Sequence, residues 1–261
     1  MKLTILGCGG SGGVPTISQG WGACNPADDR NRRRRPAILV QSREKGIPVE
    51  ILVDTPPDLR NQLLDVGIRR LDAVLYTHAH ADHVHGLDDL REINRAMKTH
   101  LSVYATPYTL QQIVQRFQYA FITTPKDGAV SALYKPVLRT EPITGPFRVH
   151  GMTIVPFEQD HGFSTTLGFR FGNVAYSTDL VGLSEKAFTI LTGIKVWIVS
   201  CFTTHKHQTH ASLETVLQWV RRIRPQRTIL THMGPSLDYA ALQACLPPAV
   251  EPAFDGMIIE C

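Results

Sequence analysis

His78-Ala79-His80-Ala81-Asp82-His83 places three imidazoles and a carboxylate in one short stretch. Neutral imidazole and carboxylate are donors that suit zinc, manganese or iron. The stretch is therefore a candidate metal-binding sequence. Further along, His161 in Asp160-His161-Gly162, Asp179 in Ser177-Thr178-Asp179 and His232 in Thr231-His232 offer the same donor types. Each of these, taken singly, is an ordinary polar residue at a strand end, and only the His-rich stretch makes them candidate ligands. A polar loop from Cys201 to His210 adds His205, His207 and His210. An imidazole there can donate to a phosphoryl oxygen or a leaving group near neutral pH. His210, at the mouth of the helix that follows, is the first choice for that role, with His205 and His207 as alternatives. His85 and His100 read as ordinary surface or helix residues.

The chain must bring these groups together from distant positions, and its periodicity shows how. Leu71 to Thr77 is an apolar, β-branched run that reads as a buried strand ending at His78, and Gly86 to Leu90 reads as the start of a helix. Leu3–Leu6, Ala37–Val40, Val49–Val53, Leu101–Tyr104 and Thr153–Phe157 read as strands. So do Val196–Val199, Arg227–Leu230 and Met257–Ile259, while Leu167–Phe171 and Val174–Tyr176 form a hairpin around Gly172-Asn173. Helices are expected from Pro57 to Val66, from Pro107 to about Tyr119 and from Leu213 to Arg224. The stretch from Phe121 to Gly151 lacks firm periodicity and reads as a loop with short strands, where substrate contacts would vary. His161, Asp179 and His232 each follow a strand, so the ligands gather at strand ends of a layered α/β fold.

Two other segments attract attention. Gly7 to Gly13 reads as a tight turn near the site rather than a phosphate cradle, because no Lys-Ser/Thr follows it. Arg32 to Arg35 is either a solvated basic edge or a positive rim for a phosphate substrate. Alternation along an extended chain would send only half of these side chains to one face.

With 261 residues, 43% hydrophobic and 19% charged, the chain has the make-up of an ordinary globular protein. A net charge of +4 does not by itself argue for nucleic acid or a membrane surface. Cys8, Cys24, Cys201, Cys245 and Cys261 have no paired spacing and read as free thiols. The N-terminus lacks a signal-peptide pattern and no apolar run is long enough to span a membrane, so the expected location is the cytoplasm.

The His-x-His-x-Asp-His order resembles the signature of the metallo-β-lactamase superfamily. That resemblance implies an αββα sandwich, two mixed sheets flanked by helices, as one domain over residues 1–261. It implies that His78, His80 and His161 hold one divalent ion, that Asp82, His83 and His232 hold a second, and that Asp179 bridges the two. Asp54 would lie behind the site and orient a ligand. The glycine turn with Val14-Pro15, Trp21-Gly22-Ala23-Cys24, the arginine run and Phe254-Asp255-Gly256-Met257 resemble the PhnP family of phosphodiesterases. The resemblance implies hydrolysis of small cyclic or nucleotide-like phosphodiesters, such as a ribosyl 1,2-cyclic phosphate or 2′,3′-cyclic nucleotides. The nucleophile would be a hydroxide bridging two Zn2+ or Mn2+ ions, and Asp82, Asp179 and His210 would be the catalytic groups. Expected partners are a small phosphodiester or nucleotide, no membrane and no stable nucleic-acid partner, with a homodimer allowed. Members of the family can carry a structural zinc on three Cys and a His, but here only Cys24 stands in that segment, so no structural zinc is expected. Alternative readings are a tRNA 3′-processing endonuclease, a thioester or lactone hydrolase and a non-enzymatic metal-dependent sensor.

Overall fold

The computed structural model describes residues 1–121 and 135–261. The stretch 122–134, within the segment expected to be a loop with short strands, lies outside the described residues. Two sheets carry the chain. The first runs, strand beside strand, Ile258–Glu260, Lys2–Gly7, Ala37–Glu44, Ile47–Val53, Ala73–Leu75, Leu101–Ala105 and Leu138–Pro142. Its pairings are antiparallel up to Ile47–Val53 and parallel beyond. The second runs Gly182–Leu183, Met152–Asp160, Thr165–Phe171, Val174–Ser177, Val196–Ser200, Arg227–Thr231 and Val250–Pro252, with Phe147–Val149 on Met152–Asp160. It too is mixed: antiparallel at the hairpins and parallel from Val174–Ser177 to Val250–Pro252.

The alternation of side chains in a strand explains how the layers stack. Ile38, Val40, Ile51 and Val53 point into a core shared with Phe169, Tyr176 and Trp197 of the second sheet. Their neighbours Leu39 and Leu52 point the other way, against Leu59, Leu63, Leu90 and Ile113 on helices. Strands buried on both faces read as continuous apolar runs, as these do. The helices Leu213–Ile223 and Glu185–Leu191 bring Val216, Ala187 and Leu191 to the core containing the second sheet. This is the αββα sandwich.

Several elements differ from the sequence-based expectation. The expected strand Leu71–Thr77 narrows to Ala73–Leu75, and a helical turn begins at Ala81, earlier than expected. Asp82 and His83 thus sit on a helix's first turn, followed by Leu87–Asp89 and Leu90–Met97. The helix Glu185–Leu191, capped by the Ser184 hydroxyl on the Ala187 amide, has no counterpart in the sequence-based expectation. Its seven residues are too few for their periodicity to stand out.

Candidate metal centre

Every expected ligand comes to one place, between the strand ends of the two sheets. His78, His80 and His161 present donor atoms within 4.8 Å of one another, and so do Asp82, His83 and His232. Asp179 lies between these triads. Its Oδ2 is 2.8 Å from His83 Nε2 and 3.2 Å from His232 Nε2, while its Oδ1 is 3.9 Å from His161 Nε2. Each oxygen of one carboxylate therefore faces a different triad.

Asp54 sets the orientation of two of these imidazoles. Its Oδ2 accepts from His83 Nδ1 at 2.7 Å and from the Thr77 hydroxyl at 2.8 Å, and its Oδ1 accepts from the Thr77 amide at 2.9 Å. With its hydroxyl proton given to Asp54, Thr77 accepts from His78 Nδ1 at 3.0 Å. On the far side, His161 Nδ1 donates to the Thr209 carbonyl at 2.7 Å. Protonation at Nδ1 leaves Nε2 of all three rings as the lone-pair nitrogen facing the cluster. The backbone pays a strain cost here, with Asp54, Asp179 and His232 all at positive φ, 65°, 49° and 53°.

The donor set fits divalent cations. Nε2 of His78 and His83 and both ring nitrogens of His232 are buried without a hydrogen-bond partner among the described residues. Buried polar atoms are rarely left so unless water or an ion serves them, and four such imidazole nitrogens in one cluster suit an ion. His83 Nε2 is near Asp179, but without the directional geometry of a hydrogen bond. Burial alone would lower the His83 pKa, but Asp82, Asp179 and Asp54 outweigh it and raise it well above the ordinary imidazole value. Burial would likewise raise Asp179, yet the surrounding imidazoles, His232 and His83 foremost, hold its carboxyl well below the usual range. The centre is arranged for positive charge.

Of the three loop histidines, the structure brings His210 to the cluster. Its Nδ1 is 3.5 Å from Asp179 Oδ1, and its ring stacks on His232 at 5.0 Å between centroids. Burial, and next the neighbouring His232, push its pKa down to about 3, so the imidazole is neutral at pH 7. His207 packs one layer out, 5.1 Å from the His210 ring, and His205 is exposed. The glycine turn does lie beside the site: Gly9 bridges Met233, and a Cβ at Gly10 would stand 3.6 Å from His232 Cε1.

The arginine run is mostly neither a free rim nor a solvated edge. Arg34 reaches Asp65 and Asp255, Arg35 reaches Asp58, and Arg32 lies over the Trp21 ring. Arg33 is only 2% exposed. It donates to the Leu237 carbonyl at 2.7 Å, the Asn31 side-chain carbonyl at 3.0 Å and the Gly234 carbonyl at 3.3 Å. Cys24 Sγ lies 3.9 Å away, close to the Pro235 and Leu237 carbonyls. Asp238 joins the knot by accepting from the Asn25 amide and the Asn31 side chain. Arg33 thus ties the segment Cys24–Asn31 to the turn that follows His232. Sequence reasoning missed this, along with Thr77 and the Thr209 carbonyl; the adjacency of Thr77 to the motif was its only visible sign.

Two expectations follow. Asp54→Ala should lower metal affinity roughly 10–100-fold, as loss of a group that orients a ligand does, read by competition with a chelating dye. Arg33→Met should cost on the order of 3 kcal/mol, since each buried acceptor left bare costs roughly 1–3 kcal/mol. A fall in the denaturant midpoint at unchanged slope would register it.

A two-sheet sandwich that gathers imidazoles and carboxylates in this way is a scaffold suited to holding divalent cations. Residues 50–233 match the model of the β-lactamase superfamily domain. The structure is similar to the crystal structure of a diphosphatase from the PhnP family, at 30% identity and a TM-score of 0.89, covering 100% of this chain and 97% of that one. The chain belongs to the metallo-β-lactamase superfamily, in its PhnP-like branch. It is also similar to an octanoyltransferase of Porphyromonas gingivalis, 32% identical over 264 residues, covering 98% of this chain and 51% of that protein. A ribonuclease Z of Bradyrhizobium sp. is 36% identical over 103 residues, 38% of this chain and 32% of that protein. The chain thus spans about half, or less, of the length of these curated relatives. No helix among the described residues is long and apolar enough to cross a membrane.

Proposed function

We propose that this chain is a dinuclear phosphodiesterase acting on small cyclic or nucleotide-like phosphodiesters. The observation that carries this reading is Asp179, whose two oxygens face two separate triads and the neutral His210. Names among the similar proteins agree with it, since a diphosphatase and a ribonuclease both break bonds to phosphorus.

In this reading His78, His80 and His161 hold one cation, Asp82, His83 and His232 the other, and Asp179 both. Imidazole with carboxylate admits zinc or manganese. Such cations supply Lewis acidity and a nucleophile available at neutral pH. The chain's own residues do the rest. Asp54, directly and through Thr77, holds His83 and His78 in the tautomer that turns Nε2 inward, and Thr209 does so for His161. His210, neutral, donates its N–H to a phosphoryl or leaving-group oxygen as charge develops there. The five cysteines are all free thiols, which suits a cytoplasmic setting. A small phosphodiester or nucleotide is the partner in this reading, and a homodimer is the assembly to test by sedimentation.

The test is hydrolysis by metal-stripped protein with zinc or manganese restored in turn. Its panel holds bis-p-nitrophenyl phosphate, 2′,3′-cyclic nucleotides, precursor tRNA, an acyl thioester and a lactone. Metal-dependent cleavage of the small diesters supports the reading. Cleavage confined to precursor tRNA, or to the thioester or lactone, replaces its substrate class.

A further inference from the structure

Beside the centre lies a cavity of about 440 Å³ that the ligands do not fill. Gly10, Ser11, Gly12 and Gly13 form one side, Phe202 and Gly234 another, and Arg35 and Ile17 complete it. We propose that this cavity is the subsite for the planar ring of the substrate, a nucleobase in a nucleotide-like diester; the inference rests on the phosphodiesterase reading and names the group beyond its phosphate.

Position is the first support. The cavity shares Gly10 and Phe202 with the centre: a Cβ on Gly10 would nearly touch the His232 ring, and Phe202 lies 4.8 Å from His210 and 6.0 Å from His232. A group attached to a phosphate held by the triads would reach this space past Gly10 and Phe202. Volume is the second, since cavities of roughly 300–1,000 Å³ are those that take drug-sized ligands.

The chemistry of the walls selects a ring over a second phosphate. Phe202 offers aromatic surface, and base–aromatic stacking is sequence-tolerant because every base has a π-face. Ile17 is fully exposed on a tight hairpin in which Thr16 and Gly20 exchange backbone hydrogen bonds of 2.8 and 2.9 Å. That fixed hairpin holds an aliphatic side chain in water, where a ring seated in the cavity would cover it. Arg35 is the cation on the wall, but its Nε is 2.9 Å from Asp58 Oδ2, which balances its charge. A second anion finds no excess positive charge there, whereas the remaining guanidinium N–H groups can donate to ring nitrogens or carbonyls.

The test compares 2′,3′-cyclic AMP with 1-O-methylribose 2,3-cyclic phosphate, the same diester without a base, on zinc-loaded enzyme. Wild type should favour the nucleotide in kcat/KM. Ile17→Ser and Ser11→Trp should each cut that preference about tenfold, the scale of a small change in pocket contact. No preference in wild type, or equal losses on both diesters, overturns the proposal. If wild type cleaves neither diester, the panel above, with zinc and manganese in turn, judges the phosphodiesterase reading, and binding judges the cavity separately. Saturation transfer from the protein to the base protons of adenosine 3′-monophosphate, lost in Ser11→Trp, supports the subsite. Absence of transfer, or transfer undiminished in the variant, overturns it.

Discussion

Asp179→Ala is expected to lower metal-dependent hydrolysis by roughly 10³-fold or more, since a shared ligand and its charge contribute several kcal/mol at about 1.4 kcal/mol per decade. The carboxylate is 2.8 and 3.2 Å from nitrogens of His83 and His232, and its other oxygen faces His161 and His210. No other described carboxylate stands between both triads; Asp82 belongs with His83 and His232 alone. Removing Asp179 leaves the triads in place but takes away the negative charge between them. On the proposed two-ion reading, metal content by elemental analysis should fall from two ions towards one or none per chain. Circular dichroism should stay that of the parent, because the side chain faces the cluster and belongs to neither hydrophobic core. Near-parental turnover in Asp179→Ala would refute the shared-ligand assignment.

His210→Ala should instead cut kcat about 10²–10³-fold, the range for losing one preorganised donor, while metal content stays at the parental level. His210 is close enough to Asp179 and His161 for its ring to serve as a ligand, so the two measurements must be made together. Loss of metal in step with activity would make His210 a ligand rather than a donor. The pH dependence separates donor from pre-protonated acid. A group with its pKa pushed down to about 3 is already neutral from pH 6 to 9, so the mutant's deficit should be constant across that span. A deficit that grows as pH falls through the ordinary imidazole range would show that His210 works protonated.

Much of the candidate site was legible in the sequence because its imidazoles and carboxylates are chemically distinctive and follow apolar runs. His161, Asp179 and His232 stand just beyond Met152–Asp160, Val174–Ser177 and Arg227–Thr231, where the buried strands release the chain. What supports those ligands was harder to see. Thr77 matters through a hydroxyl passed between His78 and Asp54, and Thr209 through its carbonyl; neither property leaves a pattern in residue type. Arg33 looked like one of four equal cations, and only the fold turns it inward while Arg32 stays on Trp21. The alternation argument correctly denied one face to all four, without saying which would be buried. The helical turn at Ala81 was also invisible, being four residues long and set by its packing rather than by periodicity.

The knot around Arg33 has a practical consequence for handling the protein. The wall behind His232 is fastened by a guanidinium, an amide, backbone carbonyls and the Asp238 carboxylate, none of which a chelator can withdraw. Emptying the candidate metal centre and reloading it with a different ion should therefore be a reversible exchange on an intact scaffold. The preference for one metal over another can then be measured on a single preparation, without unfolding between loadings.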